Sequence, residues 1–218
     1  MDSDVVKLLL ALFLVVLNGF FVAAEFSIVK VRYSQIQIKA AEGNAMAKQA
    51  EHLIKHLDEY LSATQLGITL ASLALGWVGE SAMHHVIENT LHYFSIALAD
   101  STITTISLVI SFLLITIMHI VFGELIPKSI AIRKSEQTAM LIAMPLRVFY
   151  TVFKPFIWSM NQMSNGFLRL VKIHPASDQE IHSTEELQLL VKQSADSGAI
   201  EEENYEIIKN AFDFTDHS

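Results

Sequence analysis

Cysteine is absent from the 218 residues. Disulfide frameworks, cysteine-based zinc sites and thiol nucleophiles are excluded together. Charge is scarce as well: 17% of the residues are Asp, Glu, Lys or Arg, against about 25% in a soluble domain. Proline occurs four times and glycine eight, so long helices can run with few interruptions. No HExxH, GxSxG or Walker-type phosphate loop is present, which leaves hydrolytic and nucleotide-splitting activities unsupported and predicts a protein that is not an enzyme. Nor is a nucleic-acid partner expected. What the chain does have is apolar residues, 52% of the total with a mean hydropathy of +0.40. That balance belongs to a membrane protein.

The net charge of −8 conceals a division. Residues 1–173 carry 13 Lys and Arg against 12 Asp and Glu, whereas residues 174–218 carry 2 against 11. The shift falls at His174-Pro175 and predicts a domain boundary there. A hydrocarbon core about 30 Å thick asks for roughly 20 apolar residues per helix, and three runs qualify: 5–29, 61–78 and 103–123. A cleavable leader is a poor reading of the first, which is too long and reaches Glu25 without a cleavage site. Lys30, Arg32, Lys39, Lys48 and Lys55 lie between the first two runs, and Lys128, Arg133 and Lys134 follow the third, while 79–101 has no Lys or Arg. Short basic loops stay inside, so the N-terminus is placed outside and the tail in the cytoplasm.

Residues 138–173 are apolar but interrupted by Pro145, Arg147, Lys154 and Pro155. They read as an interfacial amphipathic helix, with Phe153, Phe156 and Trp158 toward acyl chains and Arg147, Lys154, Arg169 and Lys172 toward anionic headgroups of the lipid bilayer. A cytoplasmic helix is expected over 37–57, carrying His52 and His56. In the tail, Ser183-Thr184-Glu185-Glu186 reads as a capping box opening a helix with Leu187, Leu190 and Val191 on one stripe. Gly198 ends it before a second helix through Tyr205, Ile208 and Phe212. The fold has no visible end at Ser218, which predicts a further domain downstream. The fold class is therefore all-α: a transmembrane domain over 1–137, a juxtamembrane helix over 138–173 and an acidic cytoplasmic helical segment over 174–218.

Polar side chains inside such spans are costly unless paired, and each is a functional candidate. Asn18 and Glu25 share one face of the first span. Ser62, Gln65 and Thr69 share a face of the second, where Gly67 and Gly76 loosen the helix. Gly19, with Ala23 and Ala24, offers close helix approach. In the third, His119 precedes Phe122-Gly-Glu-Leu-Ile-Pro-Lys128, and Pro127 should free the Gly123 carbonyl beside the Glu124 carboxylate. Oxygens of this kind suit a hard cation, Mg²⁺ or Na⁺; equally, the amides and hydroxyls could serve as hydrogen-bonding glue between helices. His84, Glu88 and His92 line one face of an external helix and read as a solvated face before a metal site. So do His52 and His56, while His119 reads first as a packing residue.

Asn18-Gly-Phe-Phe-Val-Ala-Ala-Glu25, Tyr60-Leu-Ser-Ala-Thr-Gln-Leu-Gly-Ile-Thr69 followed by Leu75-Gly-Trp-Val-Gly-Glu80, and Phe122-Gly-Glu-Leu-Ile-Pro-Lys128 together resemble the membrane domain of the CNNM/CorB/CorC family, over about residues 4–173. The resemblance implies a homodimeric Mg²⁺ transporter of the bacterial plasma membrane, exporting Mg²⁺ against inward Na⁺. Each protomer would have three spans and a juxtamembrane helix, with the acidic linker leading to a CBS pair that binds Mg²⁺-ATP. It makes Glu124 a cation ligand with the Gly123 carbonyl beside it. Many relatives read Phe-Ser-Gly-Ser-Glu where this chain has Phe21-Val-Ala-Ala-Glu25, so the serine oxygens are replaced by Val22 and Ala24. Gln65 then becomes the likeness's amide ligand, and backbone carbonyls near Ala23 and Gly123 complete the set. Asn18, Glu25, Ser62 and Thr69 would orient it or form a Na⁺ site. The rival readings are a non-transporting, Mg²⁺-sensing membrane scaffold and, more remotely, a membrane enzyme.

Overall fold

The computed structural model describes residues 2–93, 100–171, 184–196 and 202–215. Among these, every regular element is a helix, and the chain divides into two compact units, Met1–Phe167 and Leu168–Ser218. The expected boundary at His174-Pro175 lies outside the described residues.

In the first unit, α1 (Asp2–Lys30) is an unbroken helix. A single helix was expected next, over 37–57, but two are found, α2 (Tyr33–Ala41) and α3 (Ala45–Lys55). Gly43 separates them with φ of +94°, a left-handed conformation that ends a helix at little steric cost. Asn44 then caps α3, its Oδ1 accepting from the Met46 and Ala47 amides at 3.0 and 3.1 Å. α4 (Leu57–Tyr93) passes through Gly67, Gly76 and Gly79 without a break. α5 (Asp100–Met118) leads into a π-helical turn, His119–Leu125, and on into α6 (Ile126–Arg133). α7 (Ser135–Leu170) is one helix of 36 residues, with Pro145 and Pro155 inside it.

Four stretches are long and apolar enough to cross a membrane: Val5–Lys30, Leu57–Glu88, Ser101–Arg133 and Ser135–Leu170. The first three contain the expected spans. The fourth is α7, expected as an interfacial helix because of its prolines; by length and composition it joins the other three. Each proline removes one N–H, leaving the carbonyls of Leu141 and Thr151 without their usual partners, and both residues are exposed. Trp158 and Phe156 are exposed as expected. Phe153 instead stacks on Phe149, with ring centroids 4.5 Å apart.

The core of this unit joins α1, α3, α4 and α7. Phe21, Ile28, Leu53, Tyr60, Leu66, Leu146 and Ile157 are buried together, and Phe21 meets Phe149 edge to face at 4.7 Å. Polar clasps surround it. Lys39 pairs with Glu136, Tyr150 donates to Glu59, Arg147 donates to Gln49, and Lys55 pairs with Glu51 at 2.8 Å. Arg147, expected at headgroups, is thus engaged with α3. The second unit holds α8 (Thr184–Asp196) and α9 (Glu202–Thr215), at the places expected for the two tail helices. Ser183 and Gly198 lie outside the described residues.

Candidate cation site

The three motif segments meet at one level of the helix bundle. Gly19 on α1 lies against Pro127, so close that a Cβ there would sit 2.8 Å from the proline ring and 3.2 Å from the Phe122 carbonyl. Gly67 on α4 receives the Phe21 ring, which a Cβ would meet at 2.4 Å. These glycines bring helices of one protomer together; no atom stands within 4 Å of the corresponding position at Gly76.

The π turn is the local departure that builds the site. A π-helical turn widens the backbone register by one residue, and such turns recur where a helix carries function. Pro127 cannot donate an N–H to the turn before it, so a carbonyl there needs another donor. Asn18 supplies it. Its Nδ2 donates to the Gly123 carbonyl at 2.9 Å, and its Oδ1 accepts from the Ser72 hydroxyl at 3.1 Å. Ser72 Oγ lies 3.4 Å from His119 Nε2. Asn18 is only 1% exposed, and Gly123 is buried too. A chain of polar groups therefore crosses from α1 through α4 to the π turn. Beside it opens a cavity of about 350 Å³, lined by Ser72, Gly76, Phe112, Thr116 and His119 among others.

The expected residues fall into three groups. Asn18 and Gly123 are in direct contact, with Glu124 next in the chain and exposed on the protomer. Gln65 and Thr69 are both exposed on α4, one helical turn apart, and the Thr69 hydroxyl donates to the Gln65 carbonyl at 2.8 Å. Ser62 turns toward α7, donating to Asn161 Oδ1 at 2.7 Å. Ala23 is half-buried where α1 is unbroken, so its carbonyl stays in the helical ladder. Glu25 is half-buried too, and Lys128 is the cation acting on it; the Lys128 ammonium also sits 4.4 Å from the centre of the Phe26 ring.

Ser72 was missed at the sequence level, although it follows Gln65 by seven residues and Thr69 by three and so shares their face. His119 was read first as a packing residue and takes part in the chain. Among the described residues, no three of His, Asp and Glu converge as metal ligands. His84 Nδ1 lies 3.7 Å from Glu88, while the His92 side chain is outside the described residues. The His52 and His56 rings stack 4.5 Å apart, and His56 Nδ1 bonds to the His52 carbonyl at 2.9 Å.

The profile of the Cyclin M transmembrane N-terminal domain matches residues 9–204. The chain belongs to the CNNM family. Among its relatives, the UPF0053 protein YhdT of Bacillus subtilis (strain 168) is 43% identical over 215 residues, covering 97% of this chain and 46% of the relative. The UPF0053 protein YrkA of the same organism is 41% identical over 210 residues, 96% of this chain and 48% of its own. A polyamine export protein of Haemophilus influenzae is 28% identical over 214 residues, 98% of this chain and 49% of its own. The CNNM chain thus spans about half the length of the curated relatives it matches. It is a membrane protein, and one of the relatives it matches is named as an exporter.

Proposed function

We propose that this chain is the membrane part of a Mg²⁺ transporter that exports Mg²⁺ against inward Na⁺, with its N-terminus outside, three of the four membrane-length helices crossing, α7 lying along the inner surface and the acidic tail in the cytoplasm. The observation that carries the reading is one π turn of a membrane-length helix in which Glu124 follows the buried Gly123, whose carbonyl accepts from the Asn18 amide. One carboxylate among neutral oxygens suits a hard cation, and Mg²⁺ asks for near-octahedral oxygen at about 2.1 Å. Gln65, Thr69 and retained water supply the other oxygens, and Glu25 with Lys128 flanks the site. Glu124, Gln65 and Thr69 are exposed on a single protomer. A carboxylate facing hydrocarbon costs several kcal/mol, roughly 3 on insertion scales, and this supports a homodimer whose partner or water-filled cleft covers that face. The acidic tail would connect to a regulatory CBS pair that binds Mg²⁺-ATP.

A second reading is export of a polyamine, favoured by the name of the Haemophilus influenzae relative. The same carboxylate, amide and hydroxyl oxygens also accept from an ammonium group. Purified protein in liposomes, assayed for Mg²⁺ and for spermidine movement, separates the readings. Mg²⁺ flux lost in Glu124→Ala supports the first, and spermidine flux alone supports the second. Mg²⁺-dependent stabilisation with no flux of either favours a sensing scaffold.

A further inference from the structure

The cavity of about 350 Å³ between α4 and α5 has Ser72, Gly76, Thr116 and His119 on its wall, and none of its lining residues is Asp, Glu, Lys or Arg. Leu75 and Ile115 line it as well. They meet at Gly79, where a Cβ would stand 3.3 Å from Leu75 Cδ1 and 3.1 Å from Ile115 Cδ1. Beyond this apolar contact the seam becomes polar again. Ser111 and Ser107 lie four and eight residues before Ile115, on the face of α5 that Ile115 turns to α4. Both serines are fully buried. The Ser111 hydroxyl donates to the Ser107 carbonyl, but Ser107 Oγ has no hydrogen-bond partner among the described residues. A buried hydroxyl left unpaired is a cost that alanine would avoid. Its presence here calls for a polar occupant of the seam.

We propose that this cavity is an outer chamber for the hydrated cation, and that Leu75 and Ile115 over Gly79 form the gate through which the ion leaves along the Ser111 and Ser107 face of α5. The inference rests on the Mg²⁺-export reading above. In that orientation α4 ends and α5 begins outside, so the cavity lies outward of Gly123 and Glu124. Mg²⁺ gives up its water reluctantly. Six waters at about 30 Å³ each take roughly 180 Å³, which the cavity can hold. Hydroxyls and an imidazole hold such an ion through its water, and with no carboxylate on the wall they hold it weakly. Weak binding suits a release step, because a permeating ion must be able to leave. The apolar pair excludes water while closed. Glycine at 79 lets Ile115 lie against the α4 backbone, so a small separation of α4 from α5 joins the chamber to the buried serines.

The chain has no cysteine, so introduced cysteines react alone. Gly79→Cys combined with Ile115→Cys spans the gate: the Gly79 Cβ position lies 3.4 Å from Ile115 Cγ2, one bond from the Ile115 Cβ, and a disulfide asks for about 3.5–4.5 Å between Cβ atoms. In liposomes holding the full chain, oxidation of this pair should cut Mg²⁺ flux at least tenfold and reduction should restore it. Mg²⁺-dependent stabilisation, read at Glu124, should stay unchanged throughout. Independently, Ser111→Cys in spheroplasts exporting Mg²⁺ should react with an external, impermeant cationic methanethiosulfonate at least tenfold faster than Leu113→Cys on the exposed side of α5, since only a hydrated thiol forms the reactive thiolate. This second arm decides if the pair does not cross-link. With Mg²⁺ flux intact in the unmodified chain, either undiminished flux through the fully oxidised pair or Ser111→Cys reacting no faster than Leu113→Cys overturns this proposal alone. Absence of Mg²⁺ flux through the unmodified chain overturns the export reading and this one with it.

Discussion

Proline interrupts two of the membrane-length helices with opposite results. At Pro127 the helix changes register into a π turn, and a carbonyl of that turn is taken by a buried amide from α1. At Pro145 and Pro155, α7 continues as an ordinary helix, with the deprived carbonyls of Leu141 and Thr151 on exposed positions. The residue type is the same and the loss of one N–H is the same. What differs is the neighbour. Gly19 lets α1 press against Pro127, so the defect is buried and Asn18 must complete it. Along α7, Leu141, Pro145, Thr151 and Pro155 are all exposed, although Ala139, Ile142, Ala143 and Leu146 of the same helix are buried. A buried defect becomes a site; an exposed one remains a local loss.

The sharpest break of this comparison is chemical. Glu124→Ala should abolish Mg²⁺-dependent thermal stabilisation and liposome flux, whereas Glu136→Ala at the start of α7, which loses only the pairing with Lys39, should keep both. Asn18→Ala comes next. It leaves the buried Gly123 carbonyl without the Asn18 donor, at a cost of about 1–3 kcal/mol, and takes one of its two partners from the half-buried Ser72 hydroxyl, read as a lowered melting temperature in detergent. Pro127→Ala restores a donor that competes with Asn18 for the turn, and should weaken Mg²⁺ binding severalfold. Pro145→Ala should leave binding unchanged and raise stability, toward the ~3 kcal/mol that an interior proline costs a helix. A melting point unmoved by Pro145→Ala together with unchanged binding in Pro127→Ala would erase the distinction.

The smallest effect concerns the cytoplasmic helices. Burial, aided by the His56 and Arg147 charges, pushes the His52 imidazole below its ordinary value, with Glu59 opposing. The folded chain therefore resists protonation that the unfolded chain accepts near pH 6.5. This contribution is complete above that pH and is lost as pH falls through the lower folded value. A melting curve followed from pH 7.5 to 5 should fall, and His52→Gln should flatten the slope. Glu51, held low by its hydrogen bond to Lys55, should add a decline only at more acid pH.

Much of the fold was legible because hydrophobic runs and breakers are local signals. The three membrane-length runs, the two tail helices and the local departure at Gly123 and Pro127 could be read from spacing and residue type. The break at Gly43-Asn44 was legible in principle, since glycine followed by asparagine is a stop and a cap in sequence. The continuity of α7 was not, because whether a proline ends a helix depends on what its freed carbonyl faces. The site divides in the same way. Asn18, Gln65, Ser62 and Thr69 stood out as polar groups in apolar runs, yet nothing in their spacing separated Asn18, which reaches Gly123, from Ser62, which reaches Asn161.

Sequence alone determined an all-α membrane chain of the CNNM family, because apolar length and motif wording need no partner to be recognised. Only the tertiary structure decided which carbonyl meets which amide. Hydrogen bonds between residues 105 positions apart depend on close helix approach, and that approach was set by a glycine on one helix and a proline on another.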